Sequence, residues 1–278
     1  MEKGEKIAKL LASCGHGSRR SCEELIDMLR VTINGKVAER GDRVLPGDDV
    51  RLDNSKLRPP DLVYYKLNKP KGYLCNDTPQ KKTQHVNDLI PKSKTRLYAV
   101  GRLDKDFEGL LLFTNDGELC NRITHPRYQC PKKYEVKING RVTDVDLAKI
   151  AKGIFLSEGK TAPIDIKIKK KSGERTIAVL EIRENRRRLI PRVFAHLDYH
   201  VEKVKRISVG PIKLSGLPVG EFRKLTPEEI ETLKKEAFKT PGKTVIKKKN
   251  SRFNPNIKDT KKNNKTKQTY KKYSKKRN

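Results

Sequence analysis

The chain has 278 residues, room for one large domain or for a large and a small one. Its 65 Lys and Arg against 34 Asp and Glu leave a formal charge of +31, which points to a polyanionic partner. Nucleic acid comes first, because Lys and Arg displace the counterions condensed on phosphates.

Other classes have less support. No apolar run approaches the ~20 residues of a membrane span, so no membrane partner is expected. The start, Met-Glu-Lys-Gly-Glu-Lys, lacks the apolar core of a signal peptide. Five cysteines without a C-x-x-C predict reduced thiols in a cytoplasmic protein and argue against zinc. The five histidines are scattered, and no metal or cofactor is implied.

The first 53 residues read as one compact unit. Ile7, Leu10, Leu11 and Cys14 have helical spacing, and Gly15 and Gly17 end that helix. Ser18 is placed to cap a second helix carrying Leu25 and Ile26, with Ser21 and Glu24 at capping-box spacing. Asn34-Gly35 lies between alternating residues and predicts a hairpin. Pro46 to Asp49 turn the chain into a short strand, Val50 to Leu52. Arg19 and Arg20 open the second helix, where free N–H groups and the helix dipole favour phosphate.

Residues 54–61 contain Pro59-Pro60 and read as a linker. A second domain, 62–238, follows. Its predicted strands are 63–67, 110–114, 134–138, 164–168, 176–182 and 204–209, with a hairpin around Lys170-Lys171-Ser172-Gly173. Helices are predicted at 118–123, 144–152, 191–197 and 227–237, the last with Thr226, Pro227 and Glu229 as its start signals. Strands in runs with few helices between them define an α+β domain with a largely antiparallel sheet. Residues 239–278 hold 16 basic residues against one acid and few apolar ones, which predicts a disordered basic tail. With Tyr270 and Tyr273 interleaved, it reads as a non-specific grip on RNA.

Gly101 to Gly117 is the most informative stretch: Asp104 follows Gly-Arg-Leu and precedes the apolar run Leu110 to Phe113, which ends in Thr-Asn-Asp-Gly. It resembles the signature of the RsuA family of pseudouridine synthases. The Ser18-Arg19-Arg20 helix start followed by Val31-Thr32-Ile33-Asn34-Gly35 resembles the S4 RNA-binding domain. Together the resemblances cover roughly residues 5–238, both domains in order. They imply a monomeric enzyme that isomerises uridine to pseudouridine in ribosomal RNA, without cofactor. Long basic tails occur in members that act on the large subunit, which points that way.

The resemblance implies roles residue by residue. Asp104 is the catalytic carboxylate, by covalent attack on the sugar or by supporting a glycal-type path. Arg102 fills the stack vacated by the flipped base or clamps phosphates; the plainer reading is an ion pair with Asp106 or Glu108. Tyr134, in Lys132-Lys133-Tyr134, stacks on the base or assists at C5, although a strand Tyr is also ordinary core material. Lys69, in Lys69-Pro70-Lys71-Gly72-Tyr73, is scaffold and phosphate contact. Ser18, Arg19 and Arg20 bind RNA.

Glu184 to Phe194 aligns without gaps to the family's third motif, Glu-Gly-Lys-Asn-Arg-Gln-Val-Arg-Arg-Met-Phe, whose first paired Arg neutralises the catalytic Asp. Here that position is Pro191. Arg188 and Arg192 are the replacement candidates, although Arg192 stands one step, ~100°, around a helix. Phe107 replaces the usual Thr or Ser. These departures define a rival reading, an RNA-binding ribosome-assembly factor with weakened or lost catalysis. A DNA-binding protein has only the charge in its favour.

Overall fold

The computed structural model describes residues 4–76, 83–91 and 95–239. Apart from Lys239, the segment read as a disordered tail lies outside these residues.

The N-terminal module holds helices α1 (Ile7–Ser13) and α2 (Arg19–Asp27). Its strands are β1 (Glu5–Lys6), β2 (Val31–Ile33), β3 (Lys36–Val37), β4 (Arg43–Val44), β5 (Val50–Leu52) and β6 (Ser55–Lys56). Ile7, Leu11, Cys22, Ile26, Val31 and Leu52 form its core, as the helical spacing of the apolar residues requires. Ser18 caps α2 and accepts from the Ser21 amide, while the Ser21 hydroxyl accepts from the Ser18 amide. Ser21 therefore completes the capping box itself, and Glu24 is not needed for it. Asn34 and Gly35 both have positive φ, 52° and 82°, the geometry of a tight hairpin turn. Strand β6 pairs with β5 and Leu57 packs on the module's core, so the first part of the expected linker belongs to the module's sheet.

The larger domain is built on a nine-stranded sheet. Its strands are β7 (Tyr64–Lys69), β8 (Tyr98–Val100), β9 (Glu108–Thr114), β10 (Lys132–Asn139), β13 (Asp165–Ser172), β14 (Arg175–Ile182), β15 (His200–Val209), β16 (Ile212–Lys213) and β17 (Phe222–Lys224). A small separate hairpin joins β11 (Phe155–Leu156) and β12 (Gly159–Lys160). The order is β13-β14-β10-β15-β9-β7-β17, with β16 added to β15 and β8 to β9. Every pairing in this sheet is antiparallel except that of β15 with β9.

Helices α3 (Gly117–Thr124), α4 (Asp144–Lys152), α5 (Leu189–Ala195) and α6 (Pro227–Ala237) complete the domain. Leu110 and Leu112 of β9 pack with Leu119 and Leu233, whereas Leu111 and Phe113 pack with Ile150 and Phe194 on the opposite face. Cover on both faces explains why this strand is an unbroken apolar run rather than an alternating one.

Two residues of β9 and β15 set the geometry on which the site depends. Gly109 stands opposite Arg206 in the parallel register. A Cβ added at Gly109 would lie 2.3 Å from the Arg206 carbonyl oxygen, and its φ of +106° is strained for other residues. Glycine here lets β15 close on the strand that follows Asp104.

Helix α5 starts two residues earlier than its proline suggested. Arg188 is its N-cap in the left-handed region, φ 48°, and Pro191 is the third helical residue. Proline is tolerated there because the first-turn N–H groups have no partner within the helix. No helix among the described residues is long and apolar enough to cross a membrane.

Candidate active site

Asp104 lies in the turn between Gly101 and β9, at a cavity of about 270 Å³. Arg102, Phe107, Lys132, Tyr134, Arg188 and Arg206 line the same cavity. The turn is fixed through its backbone. The Phe107 amide donates to the Asp104 carbonyl at 3.1 Å, and the Gly72 amide to the Lys105 carbonyl at 2.9 Å. Lys69 Nζ donates to the carbonyls of Phe107 (2.8 Å), Pro70 (3.0 Å) and Asp104 (3.2 Å). The Asp104 carboxylate takes part in no hydrogen bond or ion pair within the described chain.

Lys69 is fully enclosed, 0 % exposed, and its ammonium is committed to carbonyls. It braces the turn, as a scaffold residue should; it does not present a charge to a phosphate, and that half of its expected role is corrected. Arg102 is exposed and makes neither of the ion pairs that the plainer reading allowed. Asp106 pairs with Arg188 at 3.0 Å, and Glu108 with Lys203 at 2.7 Å. Tyr134 is half-buried and lines the cavity.

The cation expected from α5 is not delivered by that helix. Arg188 lines the cavity, but its guanidinium is on Asp106. Arg192 is bound to Glu158 and the Ser157 hydroxyl, away from the cavity. That pair holds the Glu158 carboxyl down at about 2.

Positive charge reaches the site from the sheet instead. Arg206 is 1 % exposed. Its Nε donates to the Leu110 carbonyl at 2.7 Å and its Nη1 to the Arg102 carbonyl at 3.5 Å, while Nη2 is buried without a partner. Arg206 stands directly across from Tyr134 in the β10–β15 register, next to a bulge at Lys133 and Tyr134. Lys132, also buried, donates to the carbonyls of Cys130 (3.2 Å) and Ile123 (3.3 Å). Burial pushes the ammonium groups of both Lys69 and Lys132 down to about 8.

No motif assigns a role to Arg206 or Lys132 in the sequence, yet both stand at inward parity. Val204, Arg206 and Ser208 share the buried face of β15, and Lys132 shares its face with Val136 and Ile138. A basic residue at an apolar parity position was the available signal.

In the N-terminal module, Arg19 and Arg20 are exposed at the start of α2. Ser18 and Arg19 line a cleft of about 610 Å³ whose other wall includes Asp116, Gly117 and Tyr98 of the larger domain. No cluster of three or more metal-binding side chains exists among the described residues.

A small two-helix module stands ahead of a mixed sheet that holds the Asp104 carboxylate in a cavity lined by cationic side chains. Residues 5–50 match the S4 domain, and residues 63–277 match the family described as RNA pseudouridylate synthase. The chain is 38 % identical to the ribosomal large subunit pseudouridine synthase B of Bacillus subtilis (strain 168) over 233 residues, 83 % of this chain and 96 % of that one. It is 36 % identical to the protein of the same name from Escherichia coli (strain K12) over 255 residues, 87 % of this chain and 86 % of the other. A crystal structure described as a pseudouridylate synthase superposes with a TM-score of 0.60 at 29 % identity, covering 83 % of this chain and all of that one. The chain belongs to the RNA pseudouridine synthase family, whose members are isomerases.

Proposed function

We propose that this protein converts a uridine of ribosomal RNA, in the large subunit, to pseudouridine, with Asp104 as the reacting carboxylate. One observation carries the reading: a carboxylate without a hydrogen bond or ion pair among the described residues shares a cavity with Tyr134 and a buried arginine, on a turn fixed by backbone hydrogen bonds. The names of the Bacillus and Escherichia relatives support the substrate.

The reaction breaks the N1–C1′ bond and leaves the electron pair on the uracil. The base then turns, C5 bonds to C1′, and the C5 proton leaves while N1 takes one up. Asp104 supports the cleavage at the sugar, and Tyr134 stacks on the base and assists proton loss from C5. Arg102, exposed and without an acidic partner, occupies the gap left by the flipped base. Arg19, Arg20 and the basic segment after Lys239 hold the RNA by its phosphates. A preset turn is what such chemistry requires, since a small misplacement of the carboxylate costs much of the rate.

The test is to map pseudouridine in ribosomal RNA from cells lacking the gene, complemented with wild type or Asp104→Asn. A site lost on deletion and restored only by wild type establishes the reading. An unchanged pseudouridine map, with a ribosome-assembly defect rescued equally by both forms, replaces it with an RNA-binding assembly role.

A further inference from the structure

Two groups near the cavity lack partners, and they complement each other. Among the described residues no hydrogen bond or ion pair engages the Asp104 carboxylate, although it stands on a turn whose backbone is fixed at several points. Arg206 Nη2 is a buried cationic donor with no acceptor. A buried charged donor left unsatisfied is costly, and both atoms belong to residues lining one cavity.

The backbone around them narrows the choice further. Arg206 grips the segment carrying Asp104 on both sides, at the Arg102 carbonyl two residues before it and at the Leu110 carbonyl six residues after. With Nε and Nη1 engaged on carbonyls, Nη2 is the guanidinium nitrogen that no acceptor meets. Several other cations are committed elsewhere: Arg186 to Glu184, Arg188 to Asp106, Arg192 to Glu158, and Lys69 and Lys132 to carbonyls. Arg102 and Arg187, which also line the cavity, are exposed to solvent where Arg206 is enclosed. Pro191, in the position where the motif calls for arginine, has no charge to offer.

We infer that Arg206, from strand β15, is the counter-ion of Asp104: a turn of the aspartate side chain brings its carboxylate onto Nη2, replacing the helix arginine that Pro191 displaces. Arg206 is a positioning residue, acting through Asp104 rather than on the uridine. Its guanidinium keeps the carboxylate oriented toward the sugar and balances its charge in a half-buried setting. Gly109 belongs to the same device, because only glycine lets β15 come close enough to place Arg206 there. The proposal rests on the reading of Asp104 given above, and its test needs no RNA.

The test is a double-mutant cycle in thermal unfolding of the full chain, with Asp104→Ala, Arg206→Met and both together. The expected result is that Asp104→Ala lowers Tm by about 4 °C in the wild-type background and by less than about 1 °C in the Arg206→Met background. The coupling persists in 1 M salt, on the order of 3 Å of screening length, because the pair is shielded from solvent. If Arg206→Met does not fold, Arg206→Lys takes its place in the cycle; it keeps the charge, cannot span the same carbonyls, and shows a reduced coupling. An Asp104→Ala change that leaves Tm unchanged or raises it in the wild-type background overturns the pairing, whatever the arginine variants do. Coupling together with an unchanged pseudouridine map keeps the pairing and removes the proposed function; a lost modification without coupling does the reverse.

Discussion

The strand wall and the helix rim of the cavity both carry arginine, and they use it differently. On the helix side, Arg188 at the rim and Arg192 beyond it are held in solvent-accessible pairs with Asp106 and Glu158. On the wall, Arg206 and Lys132 are enclosed and held by backbone carbonyls that carry no net charge. An exposed pair cancels its own field and is screened by water, whereas a cation held only by carbonyls keeps its charge available to the cavity. A motif arginine can therefore be lost from the helix without leaving the site neutral.

The largest expected effect separates the carboxylate of the cavity from that of the rim. Asp104→Asn should lower the single-turnover rate of pseudouridine formation by about 10⁴-fold or more, the scale of losing a reacting group. Asp106→Asn, which breaks only the solvent-accessible pair with Arg188 at the cavity rim, should stay within about threefold.

Next comes the contact that positions the wall. Gly109→Ala places a Cβ against the backbone of Arg206 and forces a positive φ, so unfolding should be easier by about 2–3 kcal/mol, read from denaturant midpoints. Gly173→Ala also meets a positive φ, in a hairpin turn with open space around it, and should cost less. Equal losses would mean that the strand approach at Arg206 is unimportant.

The pH dependence sharpens the picture of buried charge. Lys69 and Lys132 titrate near 8 in the folded chain and near 10.5 when unfolded, so between these values the unfolded chain binds more protons. Their burial cost, present in full below about pH 8, is relieved as pH rises through that window. Activity should move the other way and fall above about pH 8 as cavity charge is lost. A Lys132→Met variant should show a shallower rise of stability between pH 8 and 10.5 than wild type; identical slopes would contradict the assignment.

The smallest effect concerns the N-terminal module. Replacing both Arg19 and Arg20 with alanine should weaken RNA binding uniformly across sequences and flatten the log–log salt slope by about 1.5, roughly two phosphate contacts. An unchanged slope would place the RNA elsewhere.

Much of the fold was legible because its signals are local. Helices α4 and α6 have the predicted bounds, the second because Thr226, Pro227 and Glu229 mark its start without ambiguity. The carboxylate turn and the buried strand after it could be read from seventeen consecutive residues. Helix α5 begins two residues before Pro191, since the whole first turn lacks intrahelical N–H partners and proline marks that turn rather than its first residue. Arg206 was not legible as a site residue, since its meaning comes from β15 lying parallel to β9, a pairing across about a hundred residues that no local pattern encodes. Lys69 was found but misread: its motif is local, while its enclosure depends on the turn that folds over it.

The central claim, that the wall rather than the rim supplies the charge, is tested most directly by single-turnover pseudouridine formation on ribosomal RNA from the deletion strain. Arg206→Lys and Arg192→Ala are compared with wild type, each checked first for a folded chain by thermal unfolding. Arg206→Lys should lose about 10²-fold or more, the scale of misplacing one fixed charge, and Arg192→Ala should change by no more than about threefold. The reverse order, a near-normal Arg206→Lys and a disabled Arg192→Ala, would contradict the claim.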